Sequence, residues 1–370
     1  MIIFITIPWF LPAFKAGGPI QSIANLVDNF SENVKFKIFC SNADLDNKIL
    51  QNIEFDKWII FNNNTEVFYA SPSNVTKKLI VQYNNVKPDV LFIIGIFSFN
   101  FNIFPLLFCK AKKKILSVRG MLHDEALAQK KWKKKLFLIF LKSINIKKKI
   151  TFHATNEQEK IFIQYQFGKD TKISIADNFP KKLISPVVLY KNINSINLTT
   201  IAIISPMKNH RLVLEALANA TSFINYNIYG PIKDANYWEE CLQLIKNMPS
   251  NIIVKYWNEL APEDVQNTLA ENHIFIMPSK SENFAHAIAE ALGMGKPVIT
   301  SHGTPWNFLK ENNAGENVEK TKIDILNAIE FFAKLSNDEY QKYSTASICY
   351  FNKRNNTKNL IKEYHNLLCL

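Results

Sequence analysis

Two hydrophobic periods alternate along the chain. Short runs rich in Ile, Val and Phe occur at Ile2–Ile7, Val34–Cys40, Val90–Gly95, Ile115–Val118 and Ile150–His153 in the first half. They return at Thr200–Ile204, Asn225–Tyr229, Ile252–Lys255, Ile274–Met277 and Pro297–Thr300 in the second. Runs apolar on successive positions predict strands covered on both faces, as in parallel sheets. Between them lie amphipathic stretches that predict helices over Ile20–Phe30, Val75–Tyr83, Glu125–Ile144 and Glu157–Phe167, then Arg211–Asn219, Tyr237–Lys246, Pro262–Ala270 and Ala285–Leu292. Strand and helix alternating at this spacing predict an α/β chain with two Rossmann-like, doubly wound parallel sheets. The join is expected near Asp177–Asn197, where Pro180 and Pro186 break the pattern. The expected domains are residues 1–180 and 181–352, with a C-terminal helix in 353–370 packing back on the first. Ligands of such lobes bind at the carboxyl ends of the strands, so the cleft between two lobes is the natural site.

Composition narrows the possibilities. A length of 370 residues exceeds the ~250–300 at which one core stops growing, which agrees with two domains. Apolar residues at 47% and charged residues at 21% are ordinary for a globular protein and exclude a disordered chain. The five cysteines, Cys40, Cys109, Cys241, Cys349 and Cys369, are scattered and show no CxxC spacing, so neither a disulfide framework nor a zinc site is implied. The start, MIIFITIPWF, has no positive n-region and no small-residue cleavage site. The uncharged run Val90–Cys109 holds Ser98, Asn100, Asn102 and Pro105 and reads as strand, loop and helix start rather than a span. Net charge is +12, and fourteen Lys/Arg against two acids between Lys110 and Lys149 account for all of it. Such a patch attracts an anionic partner; the bland alternative is a solvated helix face.

Candidate chemistry concentrates in Ile274–Phe308, IFIMPSKSENFAHAIAEALGMGKPVITSHGTPWNF. A strand ends at Met277, a polar loop follows, and a helix is expected to start near Phe284 and stop at Gly293. The first-turn N–H groups of such a helix suit an anionic group, for instance a diphosphate. Glu282 precedes the helix and Glu290 lies inside it; a helical segment would separate them by ~12 Å along its axis. A carboxylate accepts two hydrogen bonds at once and so suits a sugar or a ribose diol. Alone, each acid reads equally as a helix N-terminal acid or a solvent-facing Glu.

With these residues in view, the stretch resembles the Glu-x7-Glu motif of retaining GT-B glycosyltransferases, glycosyltransferase family 4. SENFAHAIAEALGMGKPVI followed by TPW is similar to a bacterial subgroup acting on surface polysaccharides. GGPIQSIANL, SVRGMLHDEAL, FHATNEQEK, SPMKNHRLVLEAL and YNIYGPIKDANYWEECL fall in the order the resemblance requires. It implies a GT-B fold and transfer of a sugar from a nucleotide-diphosphate sugar to a saccharide or lipid-linked saccharide acceptor, without a metal or other cofactor. It gives Glu290 the nucleotide ribose and Glu282 the donor sugar. The backbone of Asn283, Phe284 and Ala285 would take sugar or phosphate oxygens, and Lys208 would take the departing diphosphate. Ala285 stands where the family often has Gly, and Ile203 where it has an Arg before the Lys; the nearby Arg211 belongs to a helix and is not expected to replace it.

In the first lobe Gly17, Gly18 and Pro19 form a turn that lets backbone approach a ligand, or an ordinary βα turn. Arg119 and Gly120 follow a strand and are expected at the cleft, with Arg119 serving a phosphate and His123 a proton carrier or a surface His. Asp44-Leu45-Asp46 resembles a metal-binding Asp-x-Asp but is expected to be a solvated loop. Lys130–Lys149 mixes lysines with LFLIFLKSI and is expected to lie on an anionic inner-membrane surface, giving a cytoplasmic, peripheral protein. Two other readings compete. One is a GT-B pair that binds without turnover, given Ile203; the other is a nucleic-acid binder, which lacks interleaved aromatics and any recognised module.

Overall fold

The computed structural model describes the chain except residues 31–32, 124–125, 128–130, 187–188 and 369–370. Lys130, Glu125 and Cys369, named above, therefore lie outside the described residues. The chain divides into two compact units, Met1–Phe179 with the C-terminal segment from Thr357, and Pro180–Asn356.

The first unit carries β1 (Ile2–Thr6), α1 (Gly18–Asn29), β2 (Lys35–Ser41), β3 (Trp58–Asn62), β4 (Thr65–Ala70), α2 (Val75–Val86) and β5 (Val90–Ile94). It continues with α3 (Phe104–Phe108), β6 (Lys113–Ser117), α4 (Lys131–Ser143), β7 (Thr151–Ala154), α5 (Glu157–Phe167) and β8 (Ile173–Ile175). The sheet order is β3-β4-β2-β1-β5-β6-β7-β8, parallel except for the β3–β4 pair. Alternation along β1 shows why both faces are covered: Ile3 and Ile5 enter a core with α1, while Phe4 enters the opposite one with α2 and α4. The β3–β4 hairpin is absent from the sequence expectations, although the Asn62-Asn63-Asn64 turn between two β-branched and aromatic runs carries its signal.

The second unit carries β9 (Ser195–Ile201), α6 (His210–Leu217), β10 (Phe223–Tyr229), α7 (Ala235–Lys246), β11 (Ile252–Tyr256), α8 (Val265–Ala270), β12 (Ile274–Met277), α9 (His286–Gly293), β13 (Val298–Ser301) and β14 (Gly315–Val318). Then come α10 (Lys322–Lys334) and α11 (Asn337–Arg354), the latter opened by a capping box between Ser336 and Glu339. The order β11-β10-β9-β12-β13-β14 is parallel throughout. Neighbouring strands β9 and β12 lead the chain away in opposite directions, so their carboxyl ends define a switch point. The last helix, α12 (Thr357–Leu368), belongs to the first unit, where Tyr364 stacks on Phe179 at 5.2 Å and packs edge-on to Phe30 at 6.1 Å. Among the described residues no helix is long and apolar enough to cross a membrane.

Candidate functional site

In the second unit the loops leaving β9 and β12 meet. The amide of Lys280 donates to the Met207 carbonyl at 2.8 Å, and the Asn209 side chain donates to the Pro278 carbonyl at 2.7 Å. Lys208, in the first loop, forms a charge-assisted hydrogen bond to the carboxylate of Glu282, in the second. The Glu282 amide in turn donates to the Gly303 carbonyl at 2.9 Å. A β-carbon on Gly303 would lie 2.1 Å from the Lys280 carbonyl oxygen, so only glycine lets this third loop close on the second.

Helix α9 starts at His286, two residues later than expected, because Ala285 takes the left-handed conformation, φ 63°. The segment from Glu282 to Ala285 is therefore not helical, and the ~12 Å axial spacing expected of a continuous helix does not apply. A left-handed N-cap explains why glycine suits this position: the Ala β-carbon crowds the backbone there. Phe284 is buried, with its ring edge-on to Trp306 at 5.6 Å, and its carbonyl accepts the Trp306 indole N–H at 2.5 Å. That bond fills one of the two acceptor positions of the carbonyl.

Glu290 is not the solvent-facing acid of the bland reading. It is only 6% exposed, and its Oε2 has no hydrogen-bond partner among the described residues. Burial pushes its pKa up to about 7, against a smaller opposing pull from the Lys181 ammonium. Lys181 is a cation the sequence reading missed; it precedes the sheet, in PKK, with no motif to flag it, and its Nζ donates to the Pro262 carbonyl at 2.5 Å. Ile203 is half-buried at the position of the absent Arg. Arg211 is paired on the surface with Glu215 at 2.8 Å and Glu240 at 2.6 Å. His210, beside Lys208, is buried and neutral, its pKa depressed to about 3 by burial and by the Lys208 charge.

In the first unit Gly17 caps α1 with φ 69°, a value glycine adopts without strain. Gly18 opens the helix, with Pro19 beside it. The loop before Gly17 is tied down by a residue read above as solvated. Asp44 is 5% exposed, and its Oδ2 accepts the amides of Phe14 at 3.0 Å and Lys15 at 3.3 Å. Asp46 pairs with Lys15 at 3.0 Å. The Asp-x-Asp is a loop clasp, because unpaired amides beside the strand ends need an acceptor.

Arg119 also departs from expectation. It is 8% exposed, its guanidinium donates to Asn178, and its charge bears on Tyr364 and His153 inside the unit. It is a largely buried cation whose Nε and Nη2 have no hydrogen-bond partner among the described residues. His123 is half-buried with its ring 4.4 Å from Phe162. Glu159, unflagged in FHATNEQEK, is buried and holds the turn. It accepts the Gly120 amide at 2.5 Å, and the Thr155 amide and hydroxyl at 2.7 and 2.9 Å.

The second unit thus joins Lys208 and Glu282 at one switch point, ahead of the helix that carries Glu290. Residues 190–348 match the family model described as Glycosyl transferases group 1. This segment is similar to the glycosyl transferases group 1 family over 159 of the chain's 370 residues. Solved structures agree over the whole chain. HepE (Alr3699) of Anabaena, crystallised with UDP and glucose, is 14% identical with a TM-score of 0.71, covering 100% of this chain and 99% of its own. Sucrose-phosphate synthase of Thermosynechococcus elongatus is 13% identical with a TM-score of 0.74, covering 99% and 97%. WaaG, a glycosyltransferase involved in lipopolysaccharide biosynthesis, is 12% identical with a TM-score of 0.67, covering 100% and 99%. No curated protein sequence matches the chain. The fold is that of GT-B glycosyltransferases, and the segment matched by the family model contains Lys208, Glu282 and Glu290.

Proposed function

We propose that this chain is a group 1 glycosyltransferase, a retaining enzyme that moves a sugar from a nucleotide-diphosphate donor to a saccharide or lipid-linked saccharide of a cell-surface polysaccharide. The observation that carries the reading is the join of Lys208 to Glu282 at the switch point, with the orphaned Glu290 oxygen buried in the same domain. Glu290 would accept the two ribose hydroxyls, which supply the donors its carboxylate lacks. Lys208 would share its charge between Glu282 and the diphosphate, and would stabilise that diphosphate more as the sugar–oxygen bond breaks. The acceptor hydroxyl would attack from the face the diphosphate leaves. The new bond forms from the acceptor oxygen to the anomeric carbon, the bond to the phosphate oxygen breaks, and the hydroxyl proton passes to that oxygen. Charge neutralisation falls to Lys208 rather than to a metal. HepE with UDP and glucose, and WaaG in lipopolysaccharide synthesis, support the donor class and the pathway class by analogy of fold.

The test is a panel of nucleotide sugars with saccharide acceptors, read by nucleoside diphosphate release and by the anomeric configuration of the product in NMR. Lys208→Ala and Glu282→Ala should each abolish transfer and leave the fold intact; full transfer by either variant refutes the assignment. Ile203 favours one competing reading, a domain that binds donor without turnover. Binding in calorimetry with no release from any donor would establish it.

A further inference from the structure

Helix α4 packs on the first unit through Phe137, Leu138 and Leu141. Its opposite face is apolar where a soluble helix is usually polar. Trp132 is 65% exposed, Leu136 58%, Ile139 51% and Phe140 44%. At about 100° per residue these four share one side of the helix, within a span of about 100°. Exposed Lys133 borders this stripe on one edge, and exposed Lys135 and Lys142 on the other. Lys133 Nζ lies 5.3 Å from the Trp132 ring centre, and the helix's third lysine, Lys134, is turned inward over Phe97 at 5.0 Å. The segment after Phe97 presents further exposed aromatics, Phe99 and Phe108. The whole lies in or beside the stretch Lys110–Lys149 that holds the entire net charge of +12.

We propose that this outer face of α4 docks on an anionic phospholipid bilayer, with Trp132, Leu136, Ile139 and Phe140 entering the interface and the flanking lysines meeting lipid phosphates. An apolar centre bordered by lysines is the pattern of a helix lying in a membrane surface. Nucleic acid fits less well, because Leu136 and Ile139 offer no ring to stack on a base and the lysines flank the stripe instead of lining a groove. A second copy fits less well, because joining two such faces would bring lysines of like charge together. The proposal is independent of the donor site in the second unit.

The experiment is co-sedimentation of the full chain with vesicles of phosphatidylcholine alone and of phosphatidylcholine with phosphatidylglycerol. Binding is expected to the second kind only and to weaken with salt. Trp132 emission, assigned by difference from Trp132→Phe, should shift to the blue on these vesicles. The triple variant K133Q/K135Q/K142Q should bind roughly a hundredfold more weakly, about fivefold per lysine. W132S/L136S/I139S should lose binding at least tenfold with an unchanged thermal melt; if it melts early, the lysine variant carries the test. The proposal is overturned if the wild type binds no vesicles, or if both variants bind as the wild type does. RNA capture without vesicle binding overturns it in favour of nucleic acid. A dimer lost in W132S/L136S/I139S, without vesicle binding, overturns it in favour of a second copy.

Discussion

Replacing Glu290 by Gln removes one titrating proton from the interior of the second unit and changes little else in shape. Burial raises the carboxyl from 4.5 to about 7 in the folded state. One pKa unit corresponds to about 1.4 kcal/mol, so the shift amounts to roughly 3 kcal/mol. An acid with a raised folded pKa binds its proton in the folded state while the unfolded chain has lost it. Stability from this group is therefore fully present below pH 4.5 and falls as pH rises through about 7. The neutral amide of E290Q cannot follow that fall. The unfolding free energy of E290Q minus that of the wild type should thus grow between pH 5 and pH 8 by about 2–3 kcal/mol, with other titrations cancelling in the difference. Urea unfolding of both proteins across this range measures it. A difference that stays flat with pH refutes the buried, orphaned carboxyl. If a ribose diol donates to this carboxylate, nucleotide binding lowers its pKa and releases a proton near pH 6.5, and E290Q abolishes the release. Calorimetry in two buffers of different ionisation enthalpy reads it.

Ala285→Gly relieves a left-handed alanine worth about 1–2 kcal/mol and adds unfolded-chain freedom worth somewhat less, so thermal melts should show a net gain of about 0.5 kcal/mol. Asp44→Ala deprives three amides, those of Phe14, Lys15 and Leu45, of their acceptor and should cost about 2 kcal/mol, with faster proteolysis in the loop before Gly17; Asp44→Asn keeps an acceptor and should cost less. Gly303→Ala drives a methyl into the Lys280 carbonyl and should displace the Glu282 loop, seen as a collapse of nucleotide binding that exceeds any loss of folded protein.

The strands were legible because both their faces are buried: Ile274–Met277 is apolar at every position and is a strand with those bounds. The β3–β4 hairpin was less so, since β3 lies at the sheet edge with Ile60 exposed and Glu66 interrupts β4. At the site, Lys208, Glu282 and Glu290 could be nominated because each sits in a contiguous segment that resembles a family motif; the pairing of Lys208 with Glu282, 74 residues apart, could not. Nor could Lys181, Glu159 and the inward turn of Arg119, because each depends on a contact between segments distant along the chain. Asp44 was misread for the same reason: its partners Phe14 and Lys15 lie about thirty residues upstream, across the β1–β2 crossover.

Calorimetric titration of nucleoside diphosphates and their sugar conjugates into the wild type, Lys208→Ala and Glu290→Gln tests the central claim most directly. The account expects at least one such compound to bind one-to-one and to lose about 10- to 100-fold in affinity in Lys208→Ala, the loss of a charged hydrogen bond, with a smaller loss in Glu290→Gln. Binding of equal strength in all three proteins, or none in the wild type, would contradict it.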